Sequence, residues 1–412
     1  MGLTGWLLRH TPPRPLVTAT PGGTAARLAV ERVLRERGWH EAASPAEANL
    51  LLIAGPLDDD LGPYVEAVWA QLPRPRARAQ IDSAAAAPSA VNEVVATLRD
   101  TGLQRHQADD APPEGHDIGH EQQGHQNHES HEDGGHEDNE AGADNGHQHA
   151  GHQHENESQN KDENGDGGHQ HHDMGHDMGG MDMPGNVAMA DRGEDRDGLT
   201  LDRVHLPLGP VLPNWPAGLV VHSTLQGDTI QDATVETVGC GRDPYLHPFW
   251  TGDTYLMAAR RLDSCARLLS VAGWADAAAT ARRFRDEILP GGWSVRPENI
   301  APMLSAWARR VRRSRVLRWS LTGVGVTPDV PSTPPGLRGD TLARLHQWLD
   351  DAERALTGTV TPSDEDDRAR EARWTLDALP GLLTGTEFAL ARLLVASLDP
   401  DLDTVTAEVA HG

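Results

Sequence analysis

Between Asp109 and Asp182 the chain carries twenty acidic residues, one lysine and almost no apolar side chains, a local charge of −19 within a total of −26. Such a stretch buries too little apolar surface to offset its ordering entropy, so it predicts disorder and leaves two foldable segments around a linker. Fifteen of the 22 histidines lie between His106 and His176, many at HxH or HxxH spacing. Imidazole, thioether and carboxylate are all metal ligands, and here they crowd onto one tether. The candidate ligands are His116, His120, His125, His128, His131, His136, His147, His149, His152, His154, His169, His171, His172, Met174, His176, Met178, Met181 and Met183. Imidazoles suit nickel or zinc, whereas the closing HHDMGHDMGGMDM suits copper, the softer ion. Neutral imidazole is the ligating form, so binding is expected to weaken as pH falls through about 6.5. The plainer alternative is a solubilising spacer.

The expected organisation is residues 1–104, a linker over 105–185, and residues 186–412. Net acidity argues against nucleic-acid binding, which needs a basic footprint. Lys161 is the only lysine, which excludes a Walker A loop and a buried Schiff-base lysine. Two cysteines, Cys240 and Cys265, are too few for a zinc ribbon or a four-cysteine iron–sulfur cluster. No signal peptide is evident, and no run approaches the roughly 20 apolar residues that span a bilayer, so a cytoplasmic location is expected.

In the N-terminal segment, apolar runs alternate with helical patterns. Strands are expected at Leu16–Thr20, LLLIAGP and ARAQID. The helices expected between and after them are Ala25–Arg37, one carrying Leu61, Val65, Val68, Trp69 and Leu72, and SAVNEVVATLRD. Three strands and three helices imply a small parallel α/β sheet. The run SPAEANLLLIAGPLDDDLGPYVEAVWAQLPRPRARAQIDSA resembles the small, quinone-site subunit of respiratory complex I and its relatives in NiFe hydrogenases. The family pattern is SPRxADLxIVxG, a helix with an early proline, a QMPEP turn, and a strand ending in G-x-C-A. Asp82-Ser83-Ala84 stands where the family has a cluster-ligating cysteine, and PGGT replaces the paired cysteines before the first helix. The resemblance implies a flavodoxin-like fold that is kept and an electron path that is lost.

In the C-terminal segment, RVHLPLGPVLPNWPAGLVVHSTLQGDTIQDATVETV reads as an antiparallel meander with a hairpin at Gln226-Gly227-Asp228. Helices are expected over 254–272, 275–289, 300–321, 338–357, 367–379 and 385–397. The meander is similar to the opening of the complex I subunit that descends from the hydrogenase large subunit, where GPQHPxxHG precedes the hairpin. Leu212 stands at the first of that motif's quinone-facing histidines, with Trp215 or Pro216 near the second. VASLDPDLDT resembles the hydrogenase DPCxxC, with Asp401 and Thr404 at the two metal-binding cysteines, and RxCGxC has no counterpart. The fold class expected is α/β plus α+β: a parallel α/β domain, the His-rich linker, and a small antiparallel sheet with a helical bundle.

Other side chains read as structural. Cys265 lies on an apolar helical stripe and suits a buried thiol, and Cys240 near His247 is a weaker metal or redox candidate. His205 and His222 suit hydrogen-bonded packing within strands. Arg309, Arg310, Arg312, Arg313, Arg315 and Arg318 form a basic helix, either a solvated face or a dock for an acidic partner or for the chain's own acidic linker. Asp364 to Asp367 suit a solvated helix start. The resemblance, with its cluster, NiFe and quinone positions changed, implies a non-catalytic accessory or assembly subunit with oxidoreductase or hydrogenase partners, peripheral to a membrane complex. A nickel or copper buffer or metallochaperone is the alternative.

Overall fold

The computed structural model describes residues 12–109, 189–194, 200–240, 248–252, 254–289, 297–359 and 365–405. The candidate ligands from His116 to Met183, and His247, lie outside them. Strands β1 (Pro15–Ala19), β2 (Leu50–Ala54) and β3 (Ala77–Ile81) form a parallel sheet in that order. Leu51 of β2 pairs with Leu16 on one side and Arg78 on the other. β2 is buried along its whole length, which is what an uninterrupted LLLIA run allows at the centre of a sheet covered on both faces. Helices α1 (Thr24–Glu36) and α3 (Ala87–Arg99) cover one face, packing Val30, Leu34, Val91 and Leu98 against Leu50 and Leu52. Helix α2 (Gly62–Gln71) covers the other, with Val65 and Val68 against Leu16, Leu51 and Ile53. A fourth helix, α4, runs over Thr101–Asp109.

The second sheet is antiparallel, in the order β4 (Met189–Glu194), β5 (Thr200–Leu208), β6 (Leu219–Gln226) and β7 (Thr229–Thr237). Gln226 pairs with Thr229 across a two-residue Gly227-Asp228 turn, and Gly227 takes the positive φ of 63° that such a turn favours. Val221, Ser223 and Leu225 point inward, whereas His222 points to solvent. Among the described residues, the helices that follow are α5 (Thr254–Val271), α6 (Ala275–Ile288), α7 (Pro297–Arg313), α8 (Arg315–Leu321), α9 (Thr341–Leu356), α10 (Glu365–Leu383) and α11 (Phe388–Leu398). The helix expected over 300–321 is two helices. Ser314 leaves the helical conformation, and its hydroxyl accepts from the Leu317 N–H at 3.3 Å, which caps the second helix. Among the described residues, no helix is long and apolar enough to cross a membrane.

The segments on either side of the acidic tract belong to one compact unit. Leu28 of α1 joins the apolar cluster of the C-terminal helices, including Leu262, Leu269 and Ala281. Val211, just after β5, joins the cluster under α2. Each segment thus completes part of the other's core, and fully burying a side chain of this size contributes about 1.5–3 kcal/mol.

Candidate functional site

The seam between the two segments gathers most of the positions that the sequence marked as altered. The PGGT loop leaves β1 and enters α1 against the turn at Leu402–Thr404. The Gly22 N–H donates to Asp403 Oδ1 at 2.8 Å, and Thr24 Oγ1 lies 3.4 Å from Asp403 Oδ2. A side chain at Gly23 would bring its Cβ to 2.0 Å from the Ala54 carbonyl oxygen. No ligating residue fits there. Thr404 is buried and its hydroxyl donates to the Asp401 carbonyl at 2.6 Å. Asp401 lies 3.5 Å from Arg368 Nε and 3.9 Å from Arg260 Nη2. Leu212 lines a neighbouring recess with Glu31, Asn214 and Trp215. Asp82 and Ser83 are exposed beyond β3, where Asp82 Oδ1 accepts from Gln80 Nε2 at 2.7 Å. Neither lines the seam cavity.

The sequence reading missed what fills the seam, a buried network of opposite charges. Arg285 of α6 is fully buried; its Nη1 reaches Glu31 Oε2 at 2.7 Å and Asp263 Oδ1 at 2.6 Å, and its Nε reaches Asp286 Oδ1 at 2.9 Å. Arg27 of α1 grips Asp263 through both terminal nitrogens, at 3.2 and 2.7 Å, and bonds Glu31 one turn on at 2.7 Å. Arg267 of α5 pairs with Asp399 at 2.5 Å, and the Ser264 hydroxyl donates to the same carboxylate. Arg35 pairs with Asp286, and Arg282 lies 3.5 Å from Glu31 and 3.7 Å from Glu41. Among the described residues, five guanidinium groups (Arg27, Arg35, Arg267, Arg282, Arg285) therefore meet five carboxylates (Glu31, Glu41, Asp263, Asp286, Asp399). Near-neutral pairing of this kind is what makes buried charge tolerable. One signal was available in the sequence: Glu31 sits amid Val30, Val33 and Leu34, and Asp263 lies on the apolar side of α5.

The arginines reverse the effect of burial on two of these acids, Glu31 and Asp263. Burial alone would raise the Glu31 pKa, but Arg27, Arg285 and Arg282 hold it at about 2. Asp263, equally buried, is held far below the ordinary carboxylate range by Arg27, Arg267 and Arg285. Depressed carboxylates stabilise the fold above their unfolded pKa of roughly 4, and that contribution is lost as pH falls toward the folded value. Glu41 and Asp403 are shifted upward, chiefly by burial, and offset part of the loss. Urea titrations of the full chain should therefore give a midpoint that drops steeply between about pH 4.5 and pH 2. A flat profile would mean that the network is not tightly ion-paired.

The donor set does not fit an iron–sulfur cluster or a nickel–iron centre, both of which need several thiolates. Cys265 is buried in the helical core, as its apolar stripe implied. Burial, with Asp403 and Asp58 nearby, pushes the half-buried Cys240 thiol up to about 12, which disfavours the thiolate. Among the described residues, no three His, Cys, Asp or Glu side chains could hold a metal ion. The seam cavity, lined by Thr24, Trp215, Trp250, Arg260 and Asp401, measures about 40 Å³. That is room for about two or three waters and far too little for a quinone headgroup. His205 and His222 lie in strands as expected but are exposed rather than packed. His205 Nδ1 is 3.0 Å from Thr224 Oγ1, and His222 Nε2 is 3.6 Å from Glu236. The acidic start of α10 at Glu365, Asp366 and Asp367 is exposed or nearly so.

No family model matches the sequence, and no curated protein is detectably similar to it. Among solved structures, a chain of the membrane-bound sulfane sulfur reductase, an archaeal respiratory membrane complex, aligns with 48% of this chain and 98% of its own length. The identity is 14% and the TM-score 0.35.

Proposed function

We propose that this chain is a non-catalytic accessory or assembly subunit of the complex I and NiFe-hydrogenase type, in which a small-subunit-like and a large-subunit-like segment are fused through a metal-binding tether. One observation carries the proposal. The seam where the resembling subunits would place redox groups is closed here by ion pairs around Arg285, Asp263 and Glu31. Such a seam keeps two subunit-like halves together without giving electrons a path. The partners would be oxidoreductase or hydrogenase subunits, with the chain peripheral to a membrane complex. Removing the chain from its source cell should lower the amount of an assembled respiratory or hydrogenase complex on native gels. The turnover per remaining complex should not change. Unchanged assembly, or a lower turnover per assembled complex, would overturn the accessory role.

The spacing of the histidines and methionines favours a second reading, a nickel or copper buffer or metallochaperone. Many overlapping imidazole sites should give graded, multi-site binding of nickel, copper or zinc in preference to magnesium. Calorimetry on the full chain and on a deletion of residues 109–182 tests this. Equal magnesium and nickel affinity, or undiminished nickel binding by the deletion, would leave the tract as a charged spacer.

A further inference from the structure

The basic stretch noted in the sequence has no role in the seam. From Asn299 to Pro328 there are six arginines and no acidic residue, in a chain whose total charge is −26. α7 and α8 turn their apolar residues inward, with Leu304, Trp307, Ala308 and Val311 from the first, and Leu317 and Leu321 from the second, all buried. Arg310 and Arg313 are exposed on α7, and Arg315 and Arg318 on α8. Arg312 is committed elsewhere, to Asp350 at 2.5 Å and Glu353 at 2.7 Å. Beside the exposed arginines stand Val316, 63% exposed, and Trp319, 85% exposed, three residues apart on α8. A tryptophan this exposed buries little of its ring in the fold that presents it.

We infer that the α7–α8 face is a docking surface for an anionic lipid bilayer. Several exposed arginines beside an amphipathic helix bind acidic headgroups, and guanidinium groups match phosphate oxygens with paired hydrogen bonds. Indole settles at headgroup depth, and a neighbouring apolar side chain such as Val316 adds shallow insertion. An acidic protein or a nucleic acid would also attract the arginines, but neither accounts so directly for a tryptophan and a valine raised among charges of one sign. The net acidity of the whole chain does not prevent contact. At physiological ionic strength the Debye length is about 8 Å, so this face acts through its local charge. The contact is peripheral and requires no spanning helix.

The test uses the full chain in co-sedimentation with neutral phosphatidylcholine vesicles and with vesicles containing about 30% phosphatidylserine, at physiological salt. Binding should occur on the anionic vesicles only. Arg313→Glu combined with Arg315→Glu should weaken it by at least about tenfold, and Trp319→Ser by several-fold. All three positions are exposed, so the fold is not at risk. Arg99→Glu with Arg370→Glu makes the same charge change at exposed sites on α3 and α10 and should leave binding unaltered. Absence of binding to anionic vesicles overturns the inference. So does an equal loss in the control pair, or equally tight binding to poly-glutamate or duplex DNA.

Discussion

Asp263→Ala is expected to cost about 3–5 kcal/mol of folding stability. Its carboxylate is buried between Arg27 and Arg285, with Arg267 3.4 Å away. Truncation leaves the fully buried Arg285, and the largely buried Arg27 and Arg267, without their counter-charge, and that penalty is larger than any single hydrogen bond. The exposed pair Arg370–Asp367 is the comparison: its loss should cost about 0.2–1 kcal/mol, because water screens both partners. Urea unfolding of both variants checks the contrast. Because Arg27 and Arg285 come from different segments, Asp263→Ala should lower the midpoint for probes in both halves together. A loss below about 1 kcal/mol, or one confined to the C-terminal half, would mean that the seam is not held by this network.

Arg344→Ala is expected to be nearly as severe, through a different mechanism. Arg344 of α9 is fully buried, and among the described residues no carboxylate is hydrogen-bonded to it, Asp340 acting on it only through its charge. Its Nη1 donates to the carbonyls of Leu337 and Gly339 at 3.2 and 2.7 Å. Nη2 donates to the Gly325 carbonyl at 2.8 Å and the Ser397 hydroxyl at 2.7 Å, and Nε to the Ser397 carbonyl at 3.1 Å. Burial lowers its pKa to about 10, still well above neutral pH, so it remains charged. One guanidinium therefore fastens the irregular chain between α8 and α9 to the end of α11. Each buried acceptor left unpaired costs about 1–3 kcal/mol, with partial relaxation reducing the sum. Arg344→Lys should recover little of this, because one ammonium cannot reach a fan of acceptors built for a planar fork. Limited proteolysis should cut near residues 323–339 in both variants before the rest of the chain yields. Wild-type resistance in Arg344→Lys would show that charge alone, rather than geometry, holds the loop.

The elements were legible in the sequence because local patterns encode them. LLLIA reads as a buried strand, and Gln226-Gly227-Asp228 as a hairpin connection between β-rich runs. The break at Ser314 was not legible, since the hydrophobic spacing of α7 continues smoothly into α8 and a single hydroxyl decides the cap. Of the candidate site, Leu212, Asp401 and Thr404 were singled out from a resemblance and do gather at the seam, whereas Asp82 and Ser83 stand apart from its cavity. His205 and His222 show the limit of strand periodicity. The pattern placed them in strands, but which face met solvent depended on what packed beneath.

The sequence by itself determined the fold class and the tract of histidine and acid that separates the two segments, because composition and period act over a few residues. It also determined that the chain itself offers two thiols, fewer than a four-cysteine cluster needs in any fold. Only the tertiary structure decided what fills the seam. Glu31, Asp263 and Arg285 lie 22 to 254 residues apart in the chain, and each looks like ordinary helix charge until α1, α5 and α6 converge. A charge's meaning depends on its distance to other charges and to water, and neither distance is written in local order.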